Sequence, residues 1–524
     1  MIVSVSVKDP GALQETVDRW QRDQIIDRLW DRDATVWTDP IKPEVENRLG
    51  WLELPVSSAP LVQTAGALAS TASSEGIKDI VLCGMGGSSL APEVFASVLP
   101  RERNQPSLTV LDTTHPDAIA AVSDQIDPRR AWYLIASKSG GTLETMSLFR
   151  HFWAQSSSVI DDPGQHFVAI TDPGSSLSRL AEDRGFRSTV LADPTVGGRF
   201  AALTAFGLVP SALVGGDVGE LLASASSAMA QCAPAVELYE NPGFVIGSSM
   251  ALAAINGNDK AYFDCSSPVS ALGVWIEQLI AESTGKDSTG IIPIDGGPRP
   301  STDGASFTVS IGLQADAGAD ATMSVTEPTD VGGAMYILEF ATAVAGEILG
   351  IHPFDQPDVQ LAKSLAARAM DGDLPETGPK ALSADDPVLP NRLHESLGAS
   401  RPSYVAIQAY MAPNPATDEA LARLRKKTTR ISDAFTTVGY GPRFLHSTGQ
   451  LHKGGPPDGV YIQITDTPTN TIPIAETDYS FNELIAAQAA GDRAALADRG
   501  RTVIPIHTSD LAGVVELIGR SAAE

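Results

Sequence analysis

The chain has 524 residues and a formal charge of −27. That length buries more than one core and predicts at least two domains, and so acidic a surface, with no long basic block to offset it, argues against nucleic acid and anionic membrane as partners. Three cysteines, Cys83, Cys232 and Cys265, are too few and too scattered for a disulfide framework or a zinc cage. With no charged and apolar leader after Met1 and no run of about 18 apolar residues, the sequence reads as a cytoplasmic protein with reduced core thiols.

Residues 1–55 read as a helical extension, polar and punctuated by Trp20, Trp30 and Trp37, which are spaced as anchors onto something larger. Between 60 and 215, apolar runs at 80–83, 108–111, 132–136, 167–170 and 189–191 alternate with helical stretches, the pattern of parallel βαβ units. Ligands of open parallel sheets sit outside the carboxyl ends of the strands. The loops at 84–89, 137–145 and 193–200 therefore fall along one rim.

In the first loop, Gly84, Gly86 and Gly87 remove Cβ atoms that would obstruct an anion, and Ser88 and Ser89 stand at a helix start whose free N–H groups favour phosphate. Such turns also close ordinary βα units. In the second, Ser137, Lys138, Ser139 and Thr142 crowd hydroxyls and an ammonium around two glycines. This is a phosphate cradle in composition, although Thr142 is equally a helix N-cap.

A second α/β set begins near 242, with a turn at 244–247, a strand at 261–265 and a helix at 274–280. Trp275, Leu279 and Glu282 share one helical face, so Glu282 is either a solvated helix end or a half-buried base. Glycine, aspartate and proline at 295–320 and 371–400 predict loops, and 336–349 predicts a buried helix. A third α/β segment follows, with strands at 404–410, 460–465 and 502–506 and a basic helix at 423–430.

Five pieces now stand in order: GMGGSSLAP at Gly84, SKSGGTLET at Ser137, VGGRF at Val196, ESTGKDSTGIIP at Glu282 and PFDQPDVQLAK at Pro353. Together they resemble the glucose-6-phosphate isomerase family of the sugar isomerase (SIS) superfamily. YGPRFLHSTGQLHKGGP at Tyr440 is similar to the isomerase portions of transaldolase/phosphoglucose isomerase fusion proteins. The resemblance implies an α/β fold of two doubly wound parallel-sheet SIS domains with helical extensions, the first at 56–240 binding phosphate and the second at 241–524 with a C-terminal segment. The implied activity is reversible aldose–ketose isomerisation of glucose 6-phosphate and fructose 6-phosphate through an enediolate. Alternatives are a dual phosphoglucose/phosphomannose isomerase and a non-catalytic sugar-phosphate-binding regulator.

Such a reaction needs a base that moves a proton between neighbouring carbons and a fixed positive charge for the enediolate. By resemblance Glu282 is the base and Arg199 the charge, where the residues alone leave Arg199 open to a salt bridge across the rim. Ser88, Ser137, Lys138, Ser139 and Thr142 hold the phosphate, and Gly86, Gly87 and Gln356 contact the sugar. Lys363 and a histidine open the ring. The family places that histidine between the base and the FDQ motif, yet 283–351 contains none. His452 is therefore assigned to it, displaced in chain order, with His446 as the competitor. No metal or cofactor is implied. The resemblance further implies a homodimer, and the fusion relatives suggest association with transaldolase through the tryptophan-bearing N-terminus.

Overall fold

The computed structural model describes residues 3–38, 43–101, 104–301, 306–357 and 379–520, together with Leu365, Arg368 and Met370. Strand β1 (Ser4–Val7) belongs to the N-terminal extension. Strands β2 (Asp79–Gly84), β3 (Ser107–Leu111), β4 (Ala131–Ala136), β5 (Phe167–Thr171) and β6 (Ser188–Leu191) form a wholly parallel sheet in the order β3-β2-β4-β5-β6. Their unbroken apolar runs fit strands covered on both faces, and every residue of β4 is buried. The winding reverses between β2 and β4. The loops after those two strands thus flank the crevice where such sheets receive ligands.

The second sheet comprises β7 (Lys260–Cys265), β8 (Ile292–Asp295), β9 (Ser306–Gly312) and β10 (Ala321–Ser324), in the order β1-β10-β9-β7-β8 with β1 antiparallel at the edge. Two expectations fail here. β9 lies in the middle of this sheet, inside a stretch that its Gly- and Asp-rich flanks make look like loop. The supposed turn at 244–247 is the interior of the helix Pro242–Ile255, which starts where Asn241 Oδ1 accepts from the Phe244 N–H at 2.9 Å and Pro242 occupies the first turn. Gly247 serves close packing there: a Cβ on it would lie 2.3 Å from the carbonyl oxygen of Ala341 in the helix Val331–Ile348. The helical stretch Pro328–Ile348 is long and apolar enough to span a bilayer, but 89% of its apolar window is buried inside the protein, as befits a core helix.

Strands β11 (Leu382–Ser383), β12 (Tyr404–Tyr410), β13 (Phe435–Tyr440), β14 (Gly459–Thr465) and β15 (Thr502–His507) make a third parallel sheet, ordered β11-β15-β14-β12-β13. The C-terminal segment is thus a full α/β unit with its own core of Val405, Ile407, Ile462 and Ile504. Leu389, Leu393 and Leu397, from the stretch expected to be loop, also belong to that core. The orders β8-β7-β9-β10 and β13-β12-β14-β15 repeat the order β3-β2-β4-β5. Three units share one winding.

The N-terminal extension packs onto the second unit. Trp20 meets Phe244 edge-on with ring centroids 4.9 Å apart, Trp37 Nε1 donates to the Ala343 carbonyl at 2.9 Å, and Trp30 lies against Phe340. These tryptophans are engaged by their own chain, Trp20 and Trp37 being buried and Trp30 partly so. The third unit docks on the first through Arg443, which pairs with Glu93 and with Asp112 at 3.3 Å, and through Asp466, 2.9 Å from His115.

Candidate active site

The two loops at the crevice of the first sheet are built differently. In the second, Ser137 Oγ and Thr142 Oγ1 are 2.9 Å apart, the Gly140 N–H donates to Ser137 Oγ at 3.2 Å, and the Gly141 N–H donates to Ser139 Oγ at 3.3 Å. Thr142 precedes the helix Leu143–Ser157 but makes no side-chain cap bond. Its hydroxyl instead joins Ser137 above the helix N-terminus, where backbone N–H groups and the helix dipole favour an anion. Gly140 is required by its φ of +72°, and a Cβ there would also strike the Leu177 nitrogen at 2.4 Å. Lys138 turns away from this cradle. Its Nζ donates to Asp172 Oδ2 at 2.7 Å and to the Pro194 carbonyl at 3.1 Å, and burial lowers its pKa from the usual lysine value.

In the first loop the glycines make room for protein. A Cβ on Gly87 would sit 1.9 Å from the Gly198 carbonyl oxygen, and one on Gly86 would sit 2.6 Å from that of His446. The absent side chains let the loop seat the Arg199 turn and the third unit against each other. Ser88 is half-buried beside them, while Ser89 is fully buried and donates to Asp112 Oδ2 at 3.0 Å.

Glu282 closes the inner wall. It stands on the helix Gly273–Thr284, 6% exposed, with Oε1 3.3 Å from Arg199 Nη1 and Oε2 accepting from Gln278 Nε2 at 3.3 Å. The apolar stripe of Trp275 and Leu279 brings that helix face inward, so the carboxylate is the half-buried alternative and not a solvated helix end. Arg199 is 2% exposed and its donors are fixed on three sides. Nε donates to Ser283 Oγ at 2.7 Å, Nη1 to Gln356 Oε1 at 3.1 Å, and Nη2 to the carbonyls of Pro353 at 2.5 Å and Asp355 at 3.1 Å. Burial lowers its pKa from the ordinary guanidinium value, with Glu282 and Asp355 opposing that effect. The PFDQP turn that carries Gln356 is tied down in turn by Lys286, whose Nζ lies 2.8 Å from Asp355 Oδ1. Lys363 lies outside the described residues.

The two histidines part company. His452, on the helix Gly449–Gly454, is 2% exposed inside the third unit. Its Nδ1 is 3.1 Å from Gln408 Nε2, its Nε2 is 3.4 Å from the Tyr404 hydroxyl, and Tyr461 and Phe444 pack on the ring. Burial, with Lys453 and Arg501 nearby, pushes its pKa well below the usual imidazole value, so the ring is neutral at pH 7. His446 instead reaches the rim. Its carbonyl accepts from Gln278 Nε2 at 2.7 Å, and its Nε2 donates to Glu144 Oε1 at 3.0 Å.

Gln278 thus links Glu282 to His446, a role that its place one turn before Glu282 could have suggested. Glu144 was within view in SKSGGTLET, but nothing in sequence pairs it with a residue 302 positions away.

Residues 62–291 match the family model of phosphoglucose isomerase. The chain is 28% identical over 395 residues to glucose-6-phosphate isomerase of Rubrobacter xylanophilus, covering 62% of this chain and 90% of that one. It is 28% identical over 347 residues to glucose-6-phosphate isomerase of Campylobacter jejuni, covering 55% and 84%. Over this stretch the chain is similar to the phosphoglucose isomerase family. Among solved structures, a hypothetical protein of Thermus thermophilus shares the fold with a TM-score of 0.61 and 22% identity, over 70% of this chain and 99% of that one. The phosphoglucose isomerase match contains both loops, Arg199, Gln278 and Glu282. It ends before the third sheet, so the unit that brings His446 to the rim lies beyond it.

Proposed function

We propose that this chain is a glucose-6-phosphate isomerase, interconverting glucose 6-phosphate and fructose 6-phosphate through an enediolate. The observation that carries the reading is the buried carboxylate of Glu282 placed 3.3 Å from the immobilised guanidinium of Arg199, and a hydroxyl-lined helix start at Ser137 and Thr142 supports it. The phosphate sits on Ser137, Ser139 and Thr142, with Ser88 beside them, and Lys138 adds long-range charge while held by Asp172. Glu282 takes the proton from C2 of the opened aldose and returns it to C1. Arg199, which stays charged at any working pH, stabilises the enediolate oxygens between those steps. Gln278 orients the base, and Gln356 orients Arg199.

For ring opening, the placement of the two histidines favours His446 over His452, the residue to which the sequence assigns the role. A proton carrier at the ring oxygen must reach the crevice, and the neutral, enclosed His452 ring is committed to Gln408 and Tyr404. Lys363 remains its proposed helper. In this reading His446 and Glu282 come from one chain, linked through Gln278.

The test is an assay of glucose 6-phosphate, fructose 6-phosphate and mannose 6-phosphate in deuterated water. Glucose–fructose interconversion with deuterium entering the carbon that receives the proton supports the reading. Turnover of the mannose epimer as well identifies the dual isomerase. Binding without turnover of any of the three identifies a sugar-phosphate sensor and removes the isomerase.

A further inference from the structure

A helix outside every recognised motif reaches the ring-opening pair. The helix Phe481–Asp498 begins with a capping box of Ser480 and Glu483 and is otherwise rich in alanine. Gln488 and Asp492 are one turn apart, so they lie on the same face, and both are buried, at 3% and 0% exposure. Gln488 Nε2 donates to Glu144 Oε1 at 2.8 Å, the same oxygen that receives His446 Nε2 at 3.0 Å. Its Oε1 accepts from the Thr114 hydroxyl at 2.6 Å, so the amide is held at both ends and its orientation is set. Asp492 Oδ1 receives Lys453 Nζ at 2.6 Å, with both side chains enclosed, and thereby fixes the short helix that follows His446.

We infer that Gln488 is a positioning residue for ring opening: it aims the Glu144 carboxylate so that one oxygen meets the His446 imidazole. An unanchored carboxylate rotates about its last bond and offers either oxygen at variable distance. A second donor on the chosen oxygen removes that freedom and shares its negative charge, and orientation of this kind is how partner groups tune a catalytic imidazole. Gln488 acts through Glu144, its side chain bonding Glu144 and Thr114. The inference rests on the reading in which His446 opens the ring.

The experiment compares Gln488→Leu with the parent enzyme. Expected is a fall in kcat on the order of tenfold, a fraction of the roughly hundredfold or more that a general acid contributes, with KM within about twofold. The rate at which the enzyme interconverts the anomers of glucose 6-phosphate, which requires ring opening but no proton transfer between carbons, falls in parallel. In protein labelled with nitrogen-15 at histidine, the His446 N–H resonance, assigned by its loss in His446→Asn, moves from its parental position. Parental kcat with an unmoved resonance overturns the inference. Should Gln488→Leu fail to fold, Thr114→Val releases the amide from its other end, and the same resonance must again move; an unmoved one overturns the proposal. The resonance is read without substrate, so an inactive parent enzyme would overturn the proposed function while leaving this contact under test.

Discussion

Glu282 and Arg199 face each other at 3.3 Å in a crevice where both side chains are almost fully enclosed, and the two belong to units built on different sheets. Neither unit alone holds both the carboxylate and the guanidinium to which the proposed reaction assigns the proton and the enediolate charge. The pair exists because Gly87 lets the first loop lie against Gly198 and so sets the Arg199 turn beneath the Glu282 helix.

Glu282→Gln keeps the shape of the side chain and its contact with Gln278 but removes the acceptor for the proton. The expected result is a kcat at least about a hundredfold lower with KM little changed, because the lost interaction belongs to the transition state. Steady-state kinetics with fructose 6-phosphate measure it. A variant as fast as the parent would take the base away from Glu282.

The Ser137–Thr142 hydroxyl pair offers a different signature. Ser137→Ala combined with Thr142→Val removes two donors from the proposed phosphate position, and each charge-assisted hydrogen bond is worth about 1.5–3 kcal/mol. KM should rise at least about tenfold, and inorganic phosphate should inhibit correspondingly less. By contrast, Lys138→Ala should raise KM by a smaller factor, because its ammonium is engaged by Asp172 and the Pro194 carbonyl. An effect of Lys138→Ala larger than that of the hydroxyl pair would reverse this order.

Much of the fold could be read from the chain because buried parallel strands leave continuous apolar runs, and β2, β4 and β12 are such runs. β9 was hidden by its flanks, and the helix Pro242–Ile255 by glycines that suit helix packing as well as they suit turns. Glu282 and Arg199 could be singled out through their motifs, and the structure brings them to 3.3 Å. The choice between His446 and His452 was not, since both lie in one short segment and only the docking of the third unit decides which ring faces Glu144. Gln488 carries no local mark at all: a glutamine among alanines looks like a solvated helix face until the neighbouring unit is in place.

The histidines separate by the kind of damage their removal does. His446→Ala should slow anomer interconversion and kcat together at a smaller cost in thermal stability than His452→Ala, since its side chain keeps 12% exposure at the rim and Glu144 retains its bond to Gln488. His452→Ala should do the opposite. It opens a cavity among Tyr404, Phe444 and Tyr461 and leaves Gln408 without its ring partner, at a cost of about 2–4 kcal/mol in stability. Calorimetry and kinetics on the two variants measure both effects, and a stable, inactive His452→Ala would restore the role to His452.

Glu339 gives a prediction about pH. It lies in the middle of the core helix Val331–Ile348 with no exposed surface, and burial raises its pKa well above the usual glutamate value. The folded protein therefore keeps the proton over a range in which the unfolded chain has lost it. Between the unfolded value, near 4.5, and the higher folded value, the native state binds more protons than the unfolded one, so stability falls as pH rises through that window. Glu339→Gln keeps the shape and removes the titration. Its stability relative to the parent should climb from pH 5 to pH 8, by at least about 1 kcal/mol, since one unit of pKa difference is worth about 1.4 kcal/mol. Urea unfolding at the two pH values measures this, and an advantage that stays constant across them would mean that Glu339 is already charged in the folded core.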